Sequence, residues 1–300
     1  MAKTRIQVVI TDLDNTLYDW FHFWYHAFGT MLDRLVGESG VPREVLVREI
    51  KEVHERYQTV EYVFLLQELP SLRRKHPGMD LVEIYGEVIH AYRRARKEHL
   101  KLYPGVLETL QALRSEGVLL VGYTESTSFH SSSRVRALGL DGVLDELYSP
   151  PDHAFPEGLR REEIRMYPPE HYELERTVHR HTPLGEVKPN PALLLDIIGR
   201  TGRPLDRCIY IGDSLVKDVW MAQEAGVTDV HARYGTAHAR EEYDLLRAVT
   251  HWTTEQVERE RSASSRNVQP SFVLESGFGE ILNFFEFSAL DQRSLARVGC

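Results

Sequence analysis

The sequence predicts an α/β protein, a Rossmann-like doubly wound parallel sheet with an inserted all-helical domain. Three observations predict it. Apolar runs at Ile6–Ile10, Val118–Tyr123 and Cys208–Ile211 read as strands buried on both faces, and Val227–Ala232 reads as a fourth strand. Helical patterns lie between these runs, so strand and helix alternate. The stretch from about Asp19 to Leu102 carries helix signals and no strand signal.

The first run ends in Asp12-Leu13-Asp14-Asn15-Thr16-Leu17. Open α/β sheets place ligands just past the carboxyl ends of their strands. Two carboxylates that close repel each other and call for a cation or a shared proton. The plain alternative is an Asx-type turn, with Asp14 or Asn15 capping the next helix. An aromatic-rich helix follows. Phe21, Trp24, Tyr25, Phe28 and Leu32 recur at helical spacing, with Trp20 and Phe23 off that stripe, so it is expected to bury more than one side. Helix core is the plainer role for these rings; roofing a substrate pocket is the sharper one. A helix opened by Pro42 runs to Tyr57, Tyr62–Leu69 reads as a short helix stopped by Pro70, and Ser71–Pro77 as a basic loop. Asp80 can cap a helix reaching Tyr92.

Beyond the Tyr103-Pro104-Gly105 turn, a helix through Leu113 leads to the Val118–Tyr123 strand, which ends in Thr124-Glu125-Ser126-Thr127-Ser128. A helix over 131–138 and a short strand near Leu147 and Tyr148 come next. Residues 150–186, rich in Pro and His, are expected to insert into the core, in part as a hairpin of Ile164–Tyr167 against Tyr172–Thr177. His171, His179 and His181 match no defined metal-ligand spacing. Lys188-Pro189-Asn190-Pro191 opens a helix, and Cys208–Ile211 ends in Gly212-Asp213-Ser214 with Lys217-Asp218 behind it. After the Val227–Ala232 strand the pattern predicts helices at Arg240–Thr250 and Thr253–Arg261, a linker at Ser262–Gln269, a last strand at Phe272–Leu274 and a last helix at Gly279–Phe287. The expected division is 1–18 plus 103–288 as the α/β core, with insertions near 150–186 and 236–269, and 19–102 as the helical domain.

Bulk composition narrows the function classes. Three hundred residues with 42% hydrophobic and 27% charged side chains fit an ordinary globular protein. A net charge of -9 does not suit a phosphate-backbone binder, so no nucleic-acid partner is expected. Two cysteines, Cys208 and Cys300, make neither a disulfide framework nor a zinc site. No run approaches the roughly 20 apolar residues of a spanning helix, so no membrane partner is expected and a cytoplasmic location is.

Three strand ends thus carry Asp12 and Asp14, then Thr124, then Asp213 and Asp218, and Lys188 starts the helix ahead of the third. In a parallel sheet these ends share one edge and can converge. Several carboxylates with few counter-charges call for a hard cation, and oxygen ligands with room for water and phosphate point to magnesium. A hydroxyl, a lysine and backbone N–H groups at helix starts suit a phosphate dianion. One carboxylate is then left to attack phosphorus.

DLDNTL at Asp12–Leu17, the strand-terminal Thr124, Lys188-Pro189 and GDSLVKD at Gly212–Asp218, in that order, resemble the haloacid dehalogenase-like superfamily of phosphohydrolases. The resemblance spans most of Ile6–Ala232 and resumes at Phe272–Phe287, and the stretch 19–102 resembles the family's helical cap. It implies a magnesium-dependent phosphomonoester hydrolase working through an aspartyl phosphate on a small phosphorylated metabolite, a nucleotide or sugar phosphate. By motif position it implies Asp12 as nucleophile and Asp14 as general acid and base. Asp12, the Asp14 carbonyl and Asp213 would be the metal ligands. Thr124, Glu125 through its N–H, and Lys188 would bind phosphate, and Asp218 would sit behind them or orient Lys188. An acid two residues past the nucleophile serves a phosphatase and not a carbon–halogen hydrolase. Glu125 departs from the pattern, since a small or amide residue is expected beside the phosphate; its carboxylate must point away. A phosphomutase and a non-catalytic binding protein on the same scaffold are the alternatives. The sequence does not specify an oligomeric state.

Overall fold

The computed structural model describes residues 3–153, 172–236, 243–252 and 268–289. Its strands in chain order are β1 (Arg5–Ile6), β2 (Val8–Thr11), β3 (Leu119–Tyr123), β4 (Glu146–Ser149), β5 (Val178–His181), β6 (Cys208–Gly212), β7 (Thr228–Ala232), β8 (Phe272–Leu274) and β9 (Glu286–Phe287). Seven of them form one sheet in the order β5-β4-β3-β2-β6-β7-β8, every pairing parallel. The chain winds outward from β2 through β3, β4 and β5, then crosses to β6 and winds out the other way. The winding reverses across β2, which lies between β3 and β6. That is the switch point where an open parallel sheet leaves a crevice at its carboxyl edge.

Successive side chains on a strand point to opposite faces. Val8 and Ile10 of β2, Val121 and Tyr123 of β3, and Cys208 and Tyr210 of β6 share one apolar cluster. Val9, Leu120, Ile209 and Ile211 belong to the other. Both faces of these central strands are therefore covered, which is why they read as unbroken apolar runs. Each such side chain, fully buried, stabilises the fold by about 1.5–3 kcal/mol relative to exposure. The mutual register aligns Thr11 with Gly122 and Ile211, and Asp12 N donates to Ile211 O at 2.8 Å, so Asp12 stands directly past the edge.

Between β2 and β3 the chain makes α1 (Trp20–Ser39), α2 (Arg43–Tyr57), α3 (Leu65–Glu68), α4 (Pro70–Lys75), α5 (Leu81–Ile84) and α6 (Gly86–His99). Asp19 caps α1 by accepting from His22 N at 2.9 Å, and Gly40, at φ 65°, ends it in the left-handed conformation. Trp20, Phe21, Phe23, Trp24, Ala27 and Phe28 are all buried, the more-than-one-sided burial the off-stripe aromatics predict. The first and last residues of this excursion meet: Tyr18 bridges Leu102 antiparallel, and Tyr103 N donates to Leu17 O at 2.9 Å. Further helices are α7 (Val106–Ser115), α8 (Ser128–Ala137), α9 (Pro191–Thr201), a wide π-type segment Leu215–Trp220 running into α10 (Met221–Glu224), α11 (Tyr243–Val249) and α12 (Ile281–Phe284).

Four expectations need correction. The basic stretch expected as a loop is α4, with Pro70 in its first turn, Ser71 buried against Glu49 of α2 and Leu72 buried in the core. The expected helix over Tyr62–Leu69 shrinks to α3. Tyr172–Thr177 forms no strand; the next residues, Val178–His181, pair parallel with β4 at the sheet edge. Residues 164–167, His171 and the expected 253–261 helix lie outside the described residues. Finally, the last helix stops at Phe284, and Glu286–Phe287 returns as β9 beside β1. No described helix is long and apolar enough to cross a membrane.

Candidate active site

β2 delivers Asp12 and then turns sharply. Asn15 adopts φ 60°, and its side-chain oxygen accepts from Phe21 N at 3.1 Å, tying the turn to the start of α1. Asp12 is 7% exposed. Its Oδ1 accepts from Lys188 Nζ at 2.5 Å and its Oδ2 from the Thr16 hydroxyl at 3.1 Å. Lys188, from the segment ahead of α9, also donates to Asp218 Oδ1 at 3.1 Å. Its Nζ lies 4.9 Å from the Tyr123 ring centre and 5.5 Å from that of Tyr210. Asp218 is held from two more sides, by Tyr210 OH at 2.9 Å and Ser214 N at 3.0 Å. The π-type segment carrying Asp218 begins at Ser214, whose hydroxyl accepts from Lys217 N.

The electrostatics follow from crowding. Burial pushes the Asp12 carboxyl up to about 7; Lys188 pulls it down, while Asp218 and Asp14 push it up. Burial alone would favour neutral Lys188, but Asp12 and Asp218 outweigh it and hold the ammonium well above its ordinary value. Lys188 faces both Asp12 and Asp218, and Asp213 stands beside that pair. Oxygens of Asp12, Asp213 and Asp218 lie within 4.8 Å of one another. An all-oxygen donor set of that size fits a hard divalent cation.

Asp14 is fully engaged. Its Oδ1 accepts from Tyr18 OH at 2.7 Å and Arg134 Nη1 at 3.0 Å, and its Oδ2 from Ser126 Oγ at 2.7 Å and Thr124 Oγ1 at 3.1 Å. Arg134 is completely buried. Its other nitrogen makes a two-oxygen ion pair with Glu61, from the loop after α2, and its guanidinium stands 5.0 Å from the Phe23 ring centre. Trp20 Nε1 donates to Glu61 Oε2 at 3.2 Å. Burial pushes the Glu61 carboxyl up, but Arg134 and His130 outweigh it and bring it down to about 2.

Of the seven residues predicted for the site, Asp12, Asp14, Glu125, Lys188, Asp213 and Asp218 line one cavity of about 710 Å³. Thr124 does not. It is buried behind the wall, its hydroxyl donating to Asp14 and accepting from Ser126 N at 3.0 Å, while Ser126 and Thr127 take the lining position. Glu125 turns sideways as its charge requires. It accepts from Lys188 N at 3.0 Å and from Lys217 Nζ at 2.8 Å. The rings of Trp20 and Phe21 line the same cavity, as do Tyr57, Val60 and Glu61.

Sequence reasoning missed Arg134, Glu61, Ser126, Thr16 and Lys217 as site residues. Thr16, Ser126 and Lys217 sat within or beside quoted motifs. Arg134 in Ser-Ser-Ser-Arg and Glu61 in Val-Glu-Tyr carry no local signal, because their pairing joins residues far apart in the chain.

The model of the haloacid dehalogenase-like hydrolases matches residues 6–226. The chain belongs to the haloacid dehalogenase-like hydrolase family. The family resemblance read from the four motifs is thus borne out. A glyceraldehyde 3-phosphate phosphatase of Methanopyrus kandleri is 25% identical to this hydrolase over 233 residues, 77% of this chain and 85% of the relative. A phosphoglycolate phosphatase of Mannheimia succiniciproducens is 27% identical over 135 residues, 45% of this chain and 46% of that protein. Two solved structures share the fold of this haloacid dehalogenase-like hydrolase. One is an HAD phosphatase from Thermococcus onnurineus, at TM-score 0.51 and 18% identity, covering 94% of this chain and 100% of the other. The other is a 2-haloacid dehalogenase from Pseudomonas syringae pv. Tomato DC3000, at TM-score 0.52 and 18% identity, covering 93% and 97%.

Proposed function

We propose that this hydrolase is a magnesium-dependent phosphomonoester phosphatase that works through an aspartyl phosphate. One observation carries the reading. Asp12, at the switch point of the sheet, presents a carboxylate beside Lys188 and two further aspartates in a cavity large enough for a small ester.

Asp12 attacks phosphorus through one carboxylate oxygen, and the ester P–O bond breaks. Asp14 donates a proton to the departing oxygen. Water then attacks the acyl phosphate, Asp14 takes its proton, and inorganic phosphate leaves with Asp12 restored. Lys188 offsets charge on the phosphoryl oxygens and keeps Asp12 oriented. For Asp14 to move protons, one of its four donors must let go; Ser126, which donates to Oδ2 and lines the cavity, is the one a phosphoryl group can recruit. Asp12, the Asp14 carbonyl and Asp213 would hold the cation, with Asp218 fixing Lys188. Magnesium, when bound, supplies the positive charge that lets an anionic nucleophile approach an anionic phosphate.

The residues 19–102 act as a cap over the cavity, contributing Trp20, Phe21, Tyr57 and Glu61 to its wall. The substrate is a small phosphorylated metabolite. Similarity to glyceraldehyde 3-phosphate and phosphoglycolate phosphatases supports esters of two or three carbons alongside nucleotides and sugar phosphates.

A phosphate-release screen over these esters, with and without magnesium, tests the reading. Wild type should release phosphate only with magnesium, and Asp12→Asn should lose at least about a thousandfold in kcat while remaining folded. Equal release by wild type and Asp12→Asn across the panel would end it.

A further inference from the structure

We infer that the protein carries a second metal site, a three-histidine site for a zinc-type divalent cation, at the base of the helical segment. His22 and His26 lie one turn apart on α1, so their rings share a helix face. His99 is the last residue of α6, which packs along α1. The three rings gather tightly. Ring centres of His22 and His26 are 4.4 Å apart, those of His22 and His99 5.1 Å, and those of His26 and His99 4.2 Å. One nitrogen from each ring lies within 4.8 Å of the other two.

One of the three spacings is already that of ligands on one ion. A tetrahedral zinc with Zn–N near 2.0–2.1 Å sets its nitrogens about 3.3 Å apart. The hydrogen bond between His22 Nε2 and His99 Nδ1 holds these two nitrogens 3.2 Å apart, and an ion would replace its proton. His26 now stacks on His99 at 10° between ring planes, so its ring turns out of that stack when the ion binds, leaving the fourth position to water. His22 is exposed and the other two are half-buried, so an ion can enter from solvent.

The donor chemistry separates this site from the carboxylate cluster. Imidazole nitrogen selects zinc, nickel or copper, whereas the aspartate oxygens suit magnesium. Its place in the fold gives it a consequence. His22 and His26 follow the strand-to-helix turn after Asp14, and His99 precedes Leu102, which bridges Tyr18. An ion held by all three clamps the entry and exit of the helical segment together.

The test uses the full chain, stripped with chelator and kept in excess magnesium, titrated with zinc chloride against a colorimetric chelator and with cobalt(II) chloride. Wild type is expected to bind one zinc per chain, to show the intense visible band of tetrahedral cobalt and to melt at a higher temperature with zinc. His26→Ala and His99→Ala lose all three responses. His99→Cys, which restores a ligand, regains zinc binding and adds a thiolate-to-cobalt band. Asp12→Asn, which tests the hydrolase reading, keeps them all. No zinc uptake by wild type overturns the inference. So does uptake that survives His99→Ala, that disappears with Asp213→Asn, or that needs two chains per ion. None of these readouts involves phosphate release, so the phosphatase reading stands or falls separately.

Discussion

Arg134 Nη1 donates to Asp14 Oδ1 at 3.0 Å from a position with no solvent exposure, and the same guanidinium grips Glu61. One buried cation therefore joins a carboxylate of the sheet edge to a carboxylate of the helical segment. Breaking a buried ion pair by removing one partner typically costs 3–5 kcal/mol, because the other charge is stranded. Arg134→Met should destabilise the fold by roughly that amount. The double variant Arg134→Met/Glu61→Gln should recover at least about 1 kcal/mol of the loss. Denaturant unfolding of the three proteins measures this. A cost below about 1 kcal/mol for Arg134→Met would mean that the pair is not stabilised as its burial implies.

His54 predicts a pH dependence. Its Nδ1 lies 2.7 Å from Val249 O, joining α2 to α11, and burial pushes the ring down to about 4, with the Val249 carbonyl pulling it partly back. The ordinary value is about 6.5, so between pH 6.5 and 4 the unfolded chain binds a proton that the folded chain refuses. Stability from this group is complete above that window and falls as pH drops through it, by on the order of 3 kcal/mol at the bottom. His54→Gln should remove this slope. Parallel pH profiles of unfolding free energy for the two proteins would show that His54 does not set it.

Lys217 bears on substrate affinity more than on stability. Its bridge to Glu125 is part-exposed, at 28% and 31%, a setting in which ion pairs contribute about 0–1 kcal/mol. Lys217→Met would free a carboxylate at the cavity wall to repel an anionic ester. KM for the best phosphate ester should rise roughly tenfold with kcat little changed. Glu125→Gln added to Lys217→Met should bring KM back. A KM that stays raised in the double variant would locate the effect in Lys217 itself.

Gly235 predicts a packing failure. A Cβ there would stand 1.7 Å from Asn15 O and 3.3 Å from Asp213 Cβ. Backbone cannot rotate away as a side-chain tip can. Gly235→Ala should cost about 1–3 kcal/mol and depress kcat by moving the Asp12–Thr16 turn. Thermal melting and phosphate release would report the two losses together; a variant unchanged in both would show that the turn yields freely.

What the sequence made legible follows from local physics. β2, β3 and β6 are buried on both faces, so their residues are almost all apolar, and the polar residues past their ends stood out against that background. β5 escaped because an edge strand of Val-His-Arg-His is half wet and carries no such run. α4 escaped because only two of its residues are buried and the rest of the stretch is basic. β9 was hidden by a helix-like pattern that the pairing with β1 overrides at Glu286. In the site, motif spacing placed six residues on the cavity wall. Thr124 lies behind that wall, its hydroxyl turned to Asp14. The Arg134–Glu61 pair is a contact across the fold, invisible to any pattern of neighbours.

The bridge between Tyr18 and Leu102 makes the whole helical excursion a detour through one doorway. The chain enters and leaves the excursion at these two residues, and Arg134 with Glu61 and His54 with Val249 are further ties between it and the core. A changed excursion therefore has to keep those cross-contacts as well as the two doorway residues. A chimera joined at these two residues, carrying the excursion of another member of the family, is the natural way to trade one substrate range for another on an unchanged set of aspartates.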